Sequence, residues 1–109
     1  MWNALHHSID GLKVVFAHEA AFRQEVVLAA LLIPAALWLP ASVPGKVLMI
    51  ASVLLMLIVE LLNSAVEAVV DRISLEQHEL AKRAKDAGSA AVLLTLANVV
   101  IVWVLVLLG

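Results

Sequence analysis

The stretch VLMIASVLLMLIVELLNSAVEAVVD, residues 47–71, decides the fold. Its first thirteen residues are apolar apart from one serine, as in a segment that crosses a lipid bilayer. The run continues without a break into Glu60, Asn63, Glu67 and Asp71, which we call the acidic stripe. Their spacing of three, four and four residues puts them on one face of a helix. Ionisable groups at membrane depth are rare and mark functional sites, so the stripe is a candidate site.

The alternative is that the helix has already left the membrane and the stripe is solvated. The neighbours of Glu60 in sequence are apolar, which favours a buried site for that carboxylate. Asp71 comes at the end of the run and fits either interpretation.

The composition indicates one small domain, residues 1–109, that is integral to a membrane. The chain is 64% hydrophobic and 15% charged, whereas soluble domains are about 45–50% apolar. It has no cysteine, which excludes disulfides and cysteine metal sites. Charged residues are scattered through the first 25 positions without an apolar core, so no secretory signal is expected. A chain this small has little room for a private active site, so we expect a homo-oligomer.

Hydrophobic periodicity predicts an all-α membrane protein with an N-terminal surface helix and three transmembrane helices. Residues 2–18 are amphipathic and begin with Trp2, which suits a headgroup-level anchor. The transmembrane helices are expected at about 20–39, 47–70 and 89–108. Two prolines and a glycine predict a turn over 40–46, and 71–88 is expected to be a charged cytoplasmic loop with some helix and a break near Ser74.

The distribution of Lys and Arg predicts the orientation. One side of the predicted membrane carries six of them, and the other carries Lys46 alone. The six are Lys13, Arg23, Arg72, Lys82, Arg83 and Lys85. The positive-inside rule therefore places the N-terminus and the 71–88 loop in the cytoplasm.

These residues are compatible with three classes of protein: a phosphoryl-transfer enzyme, a transporter and a structural scaffold. Carboxylates are the hard ligands that Mg²⁺ takes together with substrate phosphates, and a nearby lysine suits phosphoryl transfer. A membrane-embedded glutamate also suits a small proton-coupled transporter, although the charged loop argues against it. A structural scaffold would leave Glu60 unexplained. The chain has no glycine-rich phosphate loop, and its histidines lack the spacing of zinc ligands. Glu19 and Arg23 are four residues apart and could simply form an ion pair along a helix.

Three segments resemble the bacterial integral-membrane diacylglycerol kinase family. They are HEAAFRQE (18–25), VELLNSAVEAVVDRI (59–73) and HELAKRAKDAGSAAVLL (78–94). The resemblance implies a homotrimer in the bacterial inner membrane with active sites between subunits. It implies transfer of the γ-phosphoryl group of MgATP to diacylglycerol, giving phosphatidic acid, with no nucleic-acid partner. A sister branch phosphorylates undecaprenol instead, but the residues after Glu19 and after Asp86 resemble the diacylglycerol branch.

The resemblance also implies roles for individual residues. Glu60 matches the general base, Asn63 an amide that orients the site, and Lys85 a phosphate contact. Glu19 and Glu67 match the carboxylates that hold Mg²⁺ with ATP. The nucleotide is further expected to contact Glu76, Gln77, His78 and Asp86. The lipid site is expected to include Glu60 and Ser8, Ala21, Phe22, Arg23, Gln24, Glu25, Trp38, Ser89 and Trp103.

Some positions depart from the family pattern or receive no role. The family's best-known member has tyrosine where this chain has His7 and Gln77. The roles of His7, Asp71 and Asn98 are left open.

Overall fold

The computed structural model describes residues 2–73 and 78–109, with side chains for 2–72 and 79–109. These residues form α1 (Trp2–His18), α2 (Ala20–Trp38), α3 (Val43–Ile73) and α4 (His78–Leu108). Helices α2, α3 and α4 are long and apolar enough to cross a membrane. The predicted all-helical fold, an N-terminal helix followed by three membrane-spanning helices, is confirmed, and the chain is a multi-pass membrane protein.

Helix α3 is the centre of the bundle because both α2 and α4 pack against it. Its Met49, Val53 and Met56 are fully buried, and Val53 and Met56 pack with Ala29 of α2 and Val99 of α4. Helix α1 lies against α2 and against the C-terminal part of α3. Most of the remaining large apolar side chains are exposed on the single chain, as expected of surfaces that face lipid or other subunits.

The length of α3 explains why the acidic stripe spans two environments. Its 31 residues extend about 46 Å, whereas the hydrocarbon core of a bilayer is about 30 Å thick. Glu60 lies about 26 Å along the helix from Val43, and Glu67 lies about 10 Å further on. The stripe therefore begins at membrane depth and continues beyond the apolar region.

Helix α3 begins at Val43 rather than at residue 47, so the predicted turn is shorter. The Ser42 hydroxyl accepts a hydrogen bond from the Gly45 N–H at 3.1 Å and caps the new helix. Pro44 is tolerated in the first turn, where its missing N–H would have no partner in any case. A Cβ on Gly45 would lie 2.8 Å from Val106 Cγ1, so glycine lets this end of α3 approach α4.

The segment predicted as a charged loop, residues 71–88, is helical wherever it is described. Helix α3 continues to Ile73, and α4 begins at His78 instead of at residue 89. Residues 79–85, ELAKRAK, are good helix formers, and no proline interrupts them. The break predicted near Ser74 lies outside the described residues, as do Glu76 and Gln77.

Candidate active site

The acidic stripe turns from a buried to an exposed environment along α3. Glu60 is only 5% exposed, which is exceptional for a carboxylate. Asn63 and Glu67 are half-buried, and Asp71 is exposed. The alternative of a fully solvated stripe is therefore wrong for Glu60, whereas Asp71 is exposed on the single chain.

A second buried carboxyl group, that of Glu25, lies beside Glu60. Glu25 is 9% exposed, and its carboxyl group is close enough to that of Glu60 for the two to act on each other. Its Oε1 has no hydrogen-bond partner among the described residues. Glu19 and Glu67 are close enough for their charges to act on Glu60. Glu25 and Glu60 thus form a buried carboxyl pair that can share a proton, with Glu19 and Glu67 near enough to act on it by charge, and we call these four residues the carboxyl cluster.

Glu19 lies at the junction between α1 and α2, in an extended backbone conformation. Its side chain makes no capping hydrogen bond to α2, and neither ion pair of the described residues involves it. Arg23 instead donates from Nη1 to the carbonyl oxygens of Phe16 at 2.9 Å and Ala17 at 3.0 Å. Arg23 therefore ties the end of α1 to α2, and it leaves the Glu19 carboxylate available to a ligand.

Asn63 and Glu67 are linked within the stripe. The Nδ2 of Asn63 donates to Oε1 of Glu67 at 3.3 Å. This contact fixes the orientation of one Glu67 oxygen and leaves the other for a ligand, which is consistent with the orienting role expected for Asn63.

The first turns of α4 carry two lysines in ion pairs, and one of them, Lys85, reaches the end of α3. Lys85 Nζ lies 2.5 Å from Asp71 Oδ1, and Lys82 Nζ lies 2.6 Å from Asp86 Oδ2. All four side chains are substantially exposed. Lys85 therefore lies beside the exposed end of the stripe, and Asp71, whose role the sequence left open, is its partner.

Two grooves adjoin the carboxyl cluster. One of about 640 Å³ separates α1 from α3. Its lining includes Ser8, Val15, His18, Glu19, Leu61 and Ser64. The other, of about 420 Å³, is almost wholly apolar and runs between α1, α2 and α3. It is lined by Leu12, Lys13, Phe16, Phe22, Val26 and Leu57. Both grooves are therefore lined mainly by apolar side chains, as suits a lipid, and the first of them reaches the Glu19 carboxylate.

Several other residues expected in the site are exposed or lie far from the carboxyl groups. Ala21, Gln24, Ser89 and His7 are exposed on their helices. Trp38 and Trp103 lie about 20 Å along α2 and α4 from Glu25 and Ser89, at the other end of the bundle. Trp38 is almost fully exposed, and Trp103 donates from Nε1 to the Met49 carbonyl at 3.2 Å. A single chain does not bring these two tryptophans to the carboxyl cluster, and their assignment to a lipid site stays a prediction. The side chain of His78 lies outside the described part.

The described residues contain no group of three His, Asp or Glu side chains that could hold a metal ion by itself. A cage of this kind is not needed for Mg²⁺ with a nucleotide, because one or two carboxylates together with the phosphates complete its coordination. Glu19 and Glu67 offer such carboxylates, since both act on Glu60 and neither is held in an ion pair within the described ranges.

Comparison with known proteins identifies the family. Residues 6–107 match the family described as prokaryotic diacylglycerol kinase. The chain belongs to the prokaryotic diacylglycerol kinase family. It is 53% identical to a diacylglycerol kinase of Pseudomonas aeruginosa over 98% of this chain and 87% of that one. It is 52% identical to a diacylglycerol kinase of Escherichia coli K12 over 95% of this chain and 85% of that one. For a diacylglycerol kinase of Haemophilus influenzae the identity is 54%, over 93% and 86% of the two chains.

Within this prokaryotic diacylglycerol kinase chain, three contacts at the site were not found from the sequence. Glu25 was expected only along the lipid site, yet it lies beside Glu60. Lys82 was counted for topology, yet it pairs with Asp86. Gly88 was given no role, yet it contacts Asn63. A glycine inside an otherwise strong helical segment usually has a packing reason, and that signal could have drawn attention to Gly88.

Proposed function

We propose that this chain is a diacylglycerol kinase, which transfers the γ-phosphoryl group of ATP to the hydroxyl of diacylglycerol and yields phosphatidic acid and ADP. The observation that carries the proposal is the burial of Glu60 among three other carboxyl groups at the boundary of the apolar region. The relatives named diacylglycerol kinase support it. The transporter and scaffold alternatives lose their support because the chain belongs to a kinase family.

Glu60 is the proposed general base. A diacylglycerol hydroxyl that reaches it from the bilayer gives its proton to the Glu60 carboxylate, and the oxygen attacks the γ-phosphorus. The bond from that phosphorus to the β–γ bridging oxygen breaks, and ADP leaves with the electron pair. The protein mainly positions the groups and offsets their charge, as phosphoryl transfer requires.

The apolar groove is the proposed route for the lipid. Phe22 and Leu57 line it and lie close in sequence to Glu25 and Glu60 respectively, so an acyl chain there would leave its glycerol end near the carboxyl cluster. The groove between α1 and α3 is also largely apolar, and Ser8, a residue expected along the lipid site, lines it together with Glu19. ATP is proposed to approach from the exposed end of the acidic stripe, beside Lys85. The contacts proposed for the lipid at Arg23, Gln24, Ser89, Trp38 and Trp103 remain part of this hypothesis.

Glu19 and Glu67 are the proposed holders of Mg²⁺, and Asn63 orients Glu67 through its hydrogen bond. When bound with ATP, the metal neutralises charge on the phosphates. Lys85 adds a positive charge beside the phosphates once its ammonium group leaves Asp71 and binds a phosphate. Asp86, with Glu76, Gln77 and His78, is proposed to contact the rest of the nucleotide.

We infer the setting of the enzyme from the same features. The distribution of Lys and Arg supports an N-terminus in the cytoplasm and a location in the bacterial inner membrane. The amphipathic α1 is proposed to lie on the membrane surface. The exposed apolar faces of α2 and α4, and the opening of the site on a single chain, support a homotrimer that shares its active sites. The whole of residues 1–109 is proposed to be one kinase domain.

The experiment that tests the proposed function offers purified protein both lipids. Diacylglycerol and undecaprenol are supplied in separate mixed micelles with ATP labelled on the γ-phosphate and with Mg²⁺. We expect labelled phosphatidic acid. Label in undecaprenyl phosphate alone would assign the chain to the sister activity, and label in neither product would contradict a kinase function.

A further inference from the structure

Gly88 of α4 lies directly against the side chain of Asn63 of α3. A Cβ built on Gly88 would come within 3.1 Å of Asn63 Cγ and would overlap Asn63 Oδ1. No side chain other than hydrogen leaves room for the amide in its present position. The two helices therefore touch here, one turn from Glu60 and from Lys85, because residue 88 is glycine.

The chemistry of Glu67 fixes which end of the amide faces Gly88. An ionised carboxylate only accepts hydrogen bonds, so the NH₂ end of Asn63 must point to Glu67. The oxygen Oδ1 then points to Gly88, where it is buried and has no hydrogen-bond partner among the described residues. The amide is thus confined between a carboxylate on one side and the Gly88 backbone on the other.

We propose that Gly88 is a positioning residue for the kinase reaction, because it holds the Asn63 amide where it orients Glu67. The inference rests on the proposed function, since it takes Glu67 as a holder of Mg²⁺. Gly88 itself touches neither substrate nor metal in this account. It acts through Asn63, and its effect should appear in the metal dependence of the rate.

A small cavity beside the contact shows how the protein would respond to a larger residue. It measures about 220 Å³ and adjoins Asn63. Its other lining residues are Val59, Leu62, Val66, Gly88 and Ala91. Asn63 can turn into this space when a methyl group is added at residue 88, so α3 and α4 need not separate. The protein then stays folded, and what it loses is the hydrogen bond from Asn63 to Glu67.

The test is Gly88→Ala, measured as rate against free Mg²⁺ at saturating ATP and diacylglycerol. Partners that orient a metal ligand typically change metal affinity by 10–100-fold when they are lost, so we expect the half-saturating Mg²⁺ concentration to rise about tenfold. The half-saturating concentration of diacylglycerol should not change. A loss of folded enzyme alone would lower the maximal rate and leave both concentrations unchanged.

Gly45→Ala is the matched control, because a Cβ at Gly45 would press on Val106 Cγ1, at 2.8 Å, at the far end of the same interface between α3 and α4. It makes the same change within a helix, and its Mg²⁺ titration should match that of the unmodified protein. Asn63→Ala provides the second comparison. It should shift the titration as Gly88→Ala does, and the double variant Asn63→Ala/Gly88→Ala should shift it no further, because the two residues act through one contact.

The outcomes separate this inference from the proposed function. Glu67→Gln should shift the Mg²⁺ titration in the same assay. A shift with Glu67→Gln but none with Gly88→Ala contradicts the role of Gly88 and leaves the kinase intact. No shift with Glu67→Gln removes the metal assignment and this inference with it. If Gly88→Ala does not fold, the double variant should still fold, because it lacks the clash with the Asn63 amide. A double variant that does not fold, beside an Asn63→Ala variant that does, would also contradict the proposal.

Discussion

The ammonium group of Lys85 lies 2.5 Å from Oδ1 of Asp71, and this ion pair joins the first turns of α4 to the last turn of α3. The lysine proposed to meet the phosphates is therefore already occupied by a carboxylate when no nucleotide is bound. Both side chains are about half exposed, at 46% and 61%. Exposed pairs of this kind are weak because solvent screens them, so MgATP can displace Asp71 at little cost.

Asp71→Asn should therefore improve the binding of MgATP. Removing the competing carboxylate lowers the half-saturating MgATP concentration by up to about fivefold, a small factor because the pair is exposed to solvent. The measurement is the initial rate against MgATP in mixed micelles. Asp10→Asn, which removes one exposed negative charge from α1, should have no effect. A weaker MgATP affinity in Asp71→Asn would show that Asp71 positions Lys85 rather than competing for it.

Arg23 should hold the end of α1 through its two hydrogen bonds to main-chain carbonyls. Arg23→Met removes both bonds and keeps the apolar stem. With about 1 kcal/mol lost, the last turn of α1 should exchange its amide hydrogens about fivefold faster. Hydrogen exchange followed by mass spectrometry on peptides from residues 2–18 measures this.

The control for that experiment is Arg83→Met, an exposed arginine on α4. It removes the same charge and should leave exchange in α1 unchanged. Equal exchange in Arg23→Met and in the unmodified protein would mean that packing alone holds α1 against the bundle.

Glu25 and Glu60 should destabilise each other when both are ionised, because they are buried side by side. Glu25→Gln keeps the shape, removes one charge and supplies an N–H that can donate to Glu60. We expect the midpoint of thermal unfolding at pH 8 in detergent to rise by about 4 °C, which corresponds to about 1 kcal/mol.

Glu25→Ala should fall below Glu25→Gln in the same unfolding experiment, since it leaves a cavity and removes a partner of Glu60. Gln24→Ala, at an exposed neighbouring position, should change the midpoint little. A midpoint for Glu25→Gln as low as that for Glu25→Ala would show that the carboxyl pair is favourable as it stands.

The helices of the bundle were predictable because each long apolar run can satisfy its backbone in lipid only as a helix. The bounds of α3 and α4 were less predictable, since they depend on contacts outside the local pattern. Pro44 and Gly45 predicted a turn from the sequence. The cap by Ser42 and the close contact between Gly45 and Val106 instead make these two residues the start of α3. The charge of residues 79–86 suggested a loop, although their helix propensity determined the structure.

The candidate site was predictable where its residues lie on one helix. Glu60, Asn63 and Glu67 follow from helical spacing and from the cost of placing carboxylates among apolar residues. The partners from other helices were not predictable in the same way. Spacing along α3 does not reveal that Glu25 of α2 meets Glu60 or that Gly88 of α4 meets Asn63, because these contacts depend on how the helices are rotated and packed.

The most direct test of the account compares Glu60→Gln with Ser52→Ala for transfer of labelled γ-phosphate to diacylglycerol. Ser52→Ala removes another buried polar side chain of α3, whose one hydrogen bond among the described residues goes to the Met49 carbonyl at 2.7 Å, so its rate should stay near that of the unmodified enzyme. Glu60→Gln should lose at least about a hundredfold in rate, as expected for a general base. Its binding of MgATP, measured by calorimetry with a non-hydrolysable analogue, should be largely retained. If Glu60→Gln keeps more than about a tenth of the original rate, Glu60 is not the base, because the loss of a general base lowers the rate by about a hundredfold or more.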